Sequence, residues 1–276
     1  MNTFISIRYL LSHLRQTLVC IAGVVISVCM FIAMSAMMQG FQDKFIIETV
    51  ESSGHIIVHD APRETETPIL QRVYSDPNAL LVVAGTKPRE QVKKIKNPTG
   101  LVAKIRRMPG IRAASPIVTG DAIASYGTTD EPLAIHGIEP DQHVLATTIG
   151  EKIIQGDFAR LRGTADGIVL GWGLASILGA KLDDSISLAS TSGGRTVAKV
   201  VGIFDTGITP VDYSRGYMLI NDAQTLLNKK NVVNEIIVRT DDYTVARELA
   251  AQVESISGYK TESWQEANAN FLKIFK

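Results

Sequence analysis

Hydrophobic positions along this chain change their spacing several times, and each change predicts an element. Residues 18–38 (LVCIAGVVISVCMFIAMSAMM) run for 21 positions without a charge. At ~1.5 Å per residue such a helix is roughly 31 Å long, enough to cross the hydrocarbon core of a bilayer. Upstream, Phe4, Ile7, Leu10, Leu11 and Leu14 form an apolar stripe in residues 2–16. That spacing fits a short helix on the membrane surface, or a plain extension of the long one. Beyond residue 40 the runs shorten. Residues 54–60 (GHIIVHD) predict a strand, and the Pro-, Thr- and Glu-rich residues 61–68 a loop. Residues 98–108 predict a helix with Leu101, Val102, Ile105 and Met108 inward, ended by Pro109-Gly110.

Strands follow at 111–126 and 133–138. Near the end come a strand at 235–239, a strongly periodic helix at 243–256 and a strand at 259–264. A strand–helix–strand unit thus stands on each side of a central stretch, the pattern of a small α/β sandwich. The centre is richer in β signals. Residues 168–170 predict a strand, 174–178 a short helix that stops at Gly179, and Asp183-Asp184 a turn. The strands 185–188 and 196–204 are joined through Ser192-Gly193-Gly194. A strand and a helix capped at Asn221 or Asp222 occupy 217–227.

The expected fold class is α/β (α+β): an N-terminal transmembrane helix, then a two-part βαβ-type sandwich with an inserted β-rich subdomain. The corresponding divisions are 1–17, 18–38, 39–130, 131–230 (the insert), 231–264 and 265–276.

Charge sets the expected orientation. Residues 1–17 carry Arg8, Arg15 and His13 and no acid, whereas residues 39–51 carry Asp43, Glu48 and Glu51 against Lys44 alone. The positive-inside rule places the N-terminus in the cytoplasm and everything after Gln39 outside it. A cleaved signal peptide fits less well, because the apolar run is too long and its polar lead-in too extended. Val19 and Val28 precede Cys20 and Cys29, where a lipoprotein signal needs a small residue.

Lys plus Arg and Asp plus Glu both number 28, so no net charge marks the chain for nucleic acid. Cys20 and Cys29 both fall in the membrane helix, which leaves the rest of the chain without disulfides, Cys-ligated zinc or a Cys nucleophile. Neither a GxxxxGK[ST] phosphate loop, a GxSxG elbow nor an HExxH pair occurs. Gly171-Trp172-Gly173 lacks the third glycine of a dinucleotide fingerprint and reads as a tight strand-to-helix turn. His55 and His59 would share a strand face, but Asp60 points the other way, and two exposed or half-buried imidazoles are expected rather than a metal site. Trp172 and Trp264 are expected in the core or between subdomains. No catalytic, cofactor-binding or metal-binding residue is predicted. Gly23 and Ser27, and Ala36 and Gly40, stand four apart, a small-xxx-small spacing that lets membrane helices approach closely.

Several segments together resemble a known family. MQGFQDKF follows the apolar helix, AIHGIEP stands at 134–140, and GIVLGWGLASILG at 167–179 leads to Asp183. VVGIF (200–204), YMLINDAQTLL (217–227) and a closing SW…AN..F complete the series. In this order they resemble the ABC transporter permeases of the MacB and LolC–LolE (FtsX-like) type. The positions that carry the likeness include Gly167, Gly171, Gly173, Ala175, Gly179, Asp183, Gly202 and Trp264.

The resemblance implies a non-catalytic inner-membrane subunit with a periplasmic domain, working with a cytoplasmic ABC ATPase subunit and a second permease chain. Its cargo would be a lipoprotein, a lipid-linked molecule or a periplasmic efflux substrate, and a lipoprotein or a periplasmic adaptor would be a further partner. It also implies that residues 265–276 begin a stalk leading to a second membrane helix, and that the native chain continues. In lipoprotein-handling members an extended, proline-containing hairpin of the insert serves as a hook, and here that connection is only ASTSGGR (189–195). The other reading of the same residues is a single-pass anchored sensor or adaptor with an α/β binding domain.

Overall fold

The computed structural model describes residues 14–60 and 94–269. The expected surface segment at 2–16, the loop at 61–68 and most of the terminal stalk segment lie outside the described residues. Two units are distinguished, one up to Glu48 and one from Thr49.

The first unit contains most of helix α1 (Leu14–Ser53). Its stretch Arg15–Phe41 is long and apolar enough to cross a membrane. Its large apolar side chains, from Leu18 to Phe41, are exposed. Such a helix is stable in lipid because its backbone polar groups bond to one another.

The second unit opens with strand β1 (Ile56–His59), helix α2 (Pro98–Ile105) and the long strand β2 (Ile111–Tyr126). Helix α2 begins with Pro98 in its first turn, while Asn97 Oδ1 accepts from the Gly100 amide; Leu101, Val102 and Ile105 face inward as predicted. Strand β3 (Thr129–Ile138), helix α3 (Pro140–Ala146), strand β4 (Ile153–Gly156), helix α4 (Arg160–Gly163) and strand β5 (Gly167–Gly171) come next. Helix α5 (Trp172–Leu178), strands β6 (Ser185–Ser190) and β7 (Arg195–Phe204), helix α6 (Thr209–Asp212), strand β8 (Arg215–Leu219) and helix α7 (Ile220–Leu226) complete the centre. Strand β9 (Glu235–Thr240), helix α8 (Ala246–Ser257), strand β10 (Lys260–Ser263) and helix α9 (Trp264–Ala267) close the described chain.

Strand pairing explains the two-part reading. The order β10-β1-β9-β2 is antiparallel throughout, with α2 and α8 as crossovers. This is the split βαβ arrangement of ferredoxin-like sandwiches. Leu101, Val102 and Ile105 of α2 and Ala246, Leu249, Ala250 and Val253 of α8 share one core with Ile56, Val58, Ala114, Ile236 and Val238 of the sheet. Everything from β3 to α7 is inserted between the second and third strands of that sandwich. Within the insert, β6 pairs with both β2 and β7, so β2-β3-β8-β5-β7-β6 closes into a ring of six strands. A ring this small is filled by side chains. Here they include Ala122, Leu133, Ile135, Ile168, Leu188, Ala198 and Met218.

The change from sandwich to ring falls at Ile117, earlier than the expected division at residue 130, which lies inside β3. Residues 111–117 of β2 pair with β9 and residues 117–126 with β3. One continuous apolar strand serves both parts, so no composition shift marks the border. The helix 220–226 also differs from expectation: Leu219 is its N-cap without a side-chain bond, and the Asp222 carboxylate instead accepts from the Asp166 amide.

A second core on the outer face of the ring gathers around Tyr217. The rings of His136, His143, Phe158 and Phe204 lie 5.4–5.6 Å from it, centre to centre. His143 is 1% exposed and neither ring nitrogen has a hydrogen-bond partner. Burial, with Arg215 adding to it, holds its pKa down at about 3.

Candidate functional site

The glycine-rich stretch 167–179 builds a turn in which two glycines are crowded by the segment 212–213. Gly171 ends β5 and caps α5, and a β-carbon there would stand 2.7–2.8 Å from backbone atoms of Asp212. A β-carbon on Gly173 would stand 2.6 Å from Cγ of Tyr213. The segment 205–213 is folded so tightly because the buried Asp212 carboxylate accepts from the amide and the hydroxyl of Thr206, at 2.9 and 2.7 Å. Ala175 is buried in the core, and Gly179 ends the helix at φ +72°, where the Ala180 amide reaches back to the Ala175 carbonyl. That is the Schellman closure expected of a C-terminal glycine. Trp172 is a correction to the sequence reading. It is 47% exposed and meets Tyr213 edge-on at 6.3 Å, because the turn aims it away from the core.

Asp183 sits in the left-handed region at φ +71° and binds two cations, Arg160 of α4 at 2.6 Å and Lys199 of β7 at 3.1 Å. The Arg160 bond, then the Lys199 bond, hold its pKa below the usual carboxylate value. Its neighbour Asp184 accepts from the Lys181 amide and from the Tyr126 hydroxyl at the far end of β2. These acids fasten the ring's seam. Gly167 packs under the Thr164 carbonyl, and Gly202 stands opposite Gly156 on β4. Thus Gly167, Gly171, Gly173, Ala175, Gly179, Asp183 and Gly202 serve turns, caps and strand contacts of the fold.

The hairpin between β6 and β7 is bound back onto its own domain. Thr191 donates its amide and hydroxyl to the Asp121 carbonyl, and Ser192 Oγ donates to the Leu227 carbonyl at 2.7 Å. A β-carbon on Gly194 would stand 2.8 Å from the Leu226 carbonyl carbon, so the tip lies directly on the end of α7.

The first and last strands of the domain stand side by side, which the sequence pattern did not reveal. Strands β1 and β10 pair with Ile56 opposite Ser263, and the Trp264 amide donates to the His55 carbonyl at 2.9 Å. The loop after β9 touches both. His55 is buried, and the Thr240 amide points at its Nδ1 from 3.1 Å. The Thr240 hydroxyl lies 2.7 Å from both that nitrogen and the Asp242 carbonyl. Trp264 Nε1 donates to the Tyr243 carbonyl at 2.8 Å, and Gln265 Nε2 donates to the carbonyls of Tyr243 and Thr244. Tyr243 meets the His55 ring at 6.4 Å and the Trp264 ring at 6.0 Å, both edge-on. Ser263 and Glu266 form a capping box that starts α9. Its S-x-x-E spacing was the available signal. Burial, then the charge of Arg239, lowers the His55 pKa to about 4.

His55 is buried, a correction to the expectation of two exposed or half-buried imidazoles. His59 is half-buried and 3.8 Å from Glu262, and no group of three or more metal-binding side chains occurs among the described residues. Gly23 and Ser27 lie one turn apart on α1, with Ser27 Oγ donating to the Gly23 carbonyl, and Ala36 and Gly40 are exposed. Between α2, α3 and α7 lies a shallow groove of about 530 Å³, lined by Val102, Arg106, Pro116, Gln142, Ile220 and Gln224 among others. Arg106 is engaged there with the Ala114 carbonyl and Gln142.

Comparison with known proteins adds relatives. The lipoprotein-releasing system transmembrane protein LolC of Neisseria meningitidis serogroup B is 25% identical over 245 residues, covering 82% of this chain and 51% of that protein. LolC of Xylella fastidiosa strain Temecula1 is 23% identical over 296 residues, covering 100% of this chain and 63% of that protein. The chain therefore spans between half and two thirds of the length of these relatives. Among solved structures, the periplasmic region of MacB from Actinobacillus actinomycetemcomitans aligns with a TM-score of 0.49 at 12% identity, over 82% of this chain and 95% of that one. The extracellular domain of the ABC-type transporter YknZ from Gram-positive bacteria aligns with a TM-score of 0.47 at 11% identity, over 76% and 98%. The family model of the MacB-like periplasmic core domain matches residues 17–256, and this chain belongs to that family.

Proposed function

We propose that the chain is the permease subunit of an inner-membrane ABC transporter, with its N-terminus in the cytoplasm and the domain from Thr49 in the periplasm. It works by transmitting motion. A cytoplasmic ATPase subunit hydrolyses ATP, two permease chains rock together, and the helices leading to each periplasmic domain displace it. Family membership supports this reading, as does the absence of a phosphate loop from the sequence. The observation that carries it is the pairing of β1 with β10, which sets the first and last strands of the domain side by side, while a membrane-length helix precedes β1 in the sequence. Gly23, Ser27, Ala36 and Gly40 are the positions at which α1 would meet other membrane helices.

The cargo is a lipoprotein, a lipid-linked molecule or an efflux substrate. With its hairpin tip held by Asp121 and Leu227, this chain does not grip a lipoprotein chaperone. It is either the member of a heterodimer that lacks the hook or the permease of another cargo. Purification of the tagged full-length protein from its own membrane tests the reading. An ABC ATPase subunit should co-purify, with hydrolysis that depends on the permease. Recovery as a single-span protein without an ATPase would favour the anchored sensor or adaptor instead.

A further inference from the structure

Where the chain enters and leaves the domain, the bonds are denser than strand pairing requires. Gly54, at φ +80°, packs against Ile237 so closely that no side chain fits. His55 then places its carbonyl under the Trp264 amide and its Nδ1 on the Thr240 amide. The loop 240–244 closes the circuit: Thr240 holds the arriving strand through His55, and the carbonyls of Tyr243 and Thr244 hold the departing helix through Trp264 and Gln265. The Asp241 amide donates to the Gly110 carbonyl, so this loop is itself tied to the turn before β2. A capping box fixes the first turn of α9 in the same place.

We propose that His55, Thr240 and Trp264 form a clamp that makes the arriving and departing segments move as one body, so that displacement of the membrane helices reaches the whole domain. This rests on the transporter reading above. His55 is a positioning residue: it acts through the Thr240 amide and the Trp264 backbone, not on cargo. What the clamp needs from the imidazole is the polar contact between Nδ1 and Thr240. Asparagine, whose Oδ1 reaches a similar point, should replace it; alanine should not.

The test uses the full-length permease with its ATPase in nanodiscs, as wild type, His55→Ala, His55→Asn and Trp264→Phe, which keeps an aromatic ring but removes the indole N–H and the five-membered ring that carries it. Two readouts are taken. Hydrogen exchange at the Thr240 and Trp264 amides should quicken at least tenfold in His55→Ala and stay near wild type in His55→Asn, with the β5 and β7 amides unchanged. Nucleotide-driven displacement of the periplasmic domain, read between spin labels, should fall several-fold in His55→Ala and Trp264→Phe. ATP hydrolysis should stay within twofold of wild type, and His55→Asn should retain the motion. Unchanged displacement in a variant whose amides exchange fast would overturn the proposal. So would a parallel loss of folding, hydrolysis and motion, which marks a merely structural residue. If the wild type shows the slow amides but no nucleotide-driven displacement, the transporter reading fails and the coupling role falls with it.

Discussion

At the scale of single residues, what a position touches separates glycines that look alike in sequence. A methyl group on Gly171 would press on the Asp212 backbone, which is held by the buried Asp212–Thr206 bonds and cannot yield. A methyl group on Gly173 would meet the Tyr213 ring, which is 40% exposed and can swing outward. Gly171→Ala should therefore cost ~3 kcal/mol of unfolding free energy. Gly173→Ala should be close to neutral, since alanine also favours the helix by up to ~1 kcal/mol. Urea midpoints of the two variants check this, and equal losses would refute it.

Buried histidines give a second prediction at this scale. The folded pKa of His143, about 3, lies below the ordinary 6.5 because burial disfavours the cation. The unfolded chain therefore takes up the proton first. Stability from this residue is complete above pH 6.5 and is lost as the pH falls towards 3, by about 1.4 kcal/mol per pH unit. His143→Leu should flatten the fall in stability between pH 6.5 and 5 by that slope, whereas an unaltered slope would contradict it.

Among the elements, period and punctuation in the sequence located nearly all the strands and the helices α2, α5, α7 and α8. Gly179 and the Ser192-Gly193-Gly194 turn are stop and reversal signals whose physical basis is local, so they could be read without the fold. Pairing is not local. Nothing in residues 111–126 announces that the strand leaves β9 at Ile117 and joins a six-stranded ring, or that β6 returns to close it. The clamp was hidden for the same reason, because His55, Thr240 and Trp264 are far apart in sequence. Trp172 misled because its size suggests burial, whereas the turn that holds it was fixed by its glycine neighbours.

The hairpin between β6 and β7 carries the prediction that belongs to this scale. Mixed with the lipoprotein chaperone of the same organism, the protein should show no saturable micromolar binding. A complex that disappears when residues 190–195 are replaced would show that the tip can leave Asp121 and act as a hook.

For the whole molecule, a membrane-length helix precedes a domain whose first and last strands are neighbours. The charge difference across that helix predicts the topology. Protease added to spheroplasts should remove the part after Gln39, and a reporter at residue 2 should behave as cytoplasmic; a soluble form released from near Ala36 would reverse this.

The central claim is that ATP hydrolysis by a partner moves this domain. It is tested most directly by the distance between a spin label at a cysteine in place of the exposed Val197, with Cys20 and Cys29 replaced by serine, and a second label on the periplasmic domain of the other permease chain. In the assembled transporter, the account predicts that the distance distribution shifts by several ångströms between the ATP-bound and nucleotide-free states. An unchanged distribution while ATP is being hydrolysed would contradict it.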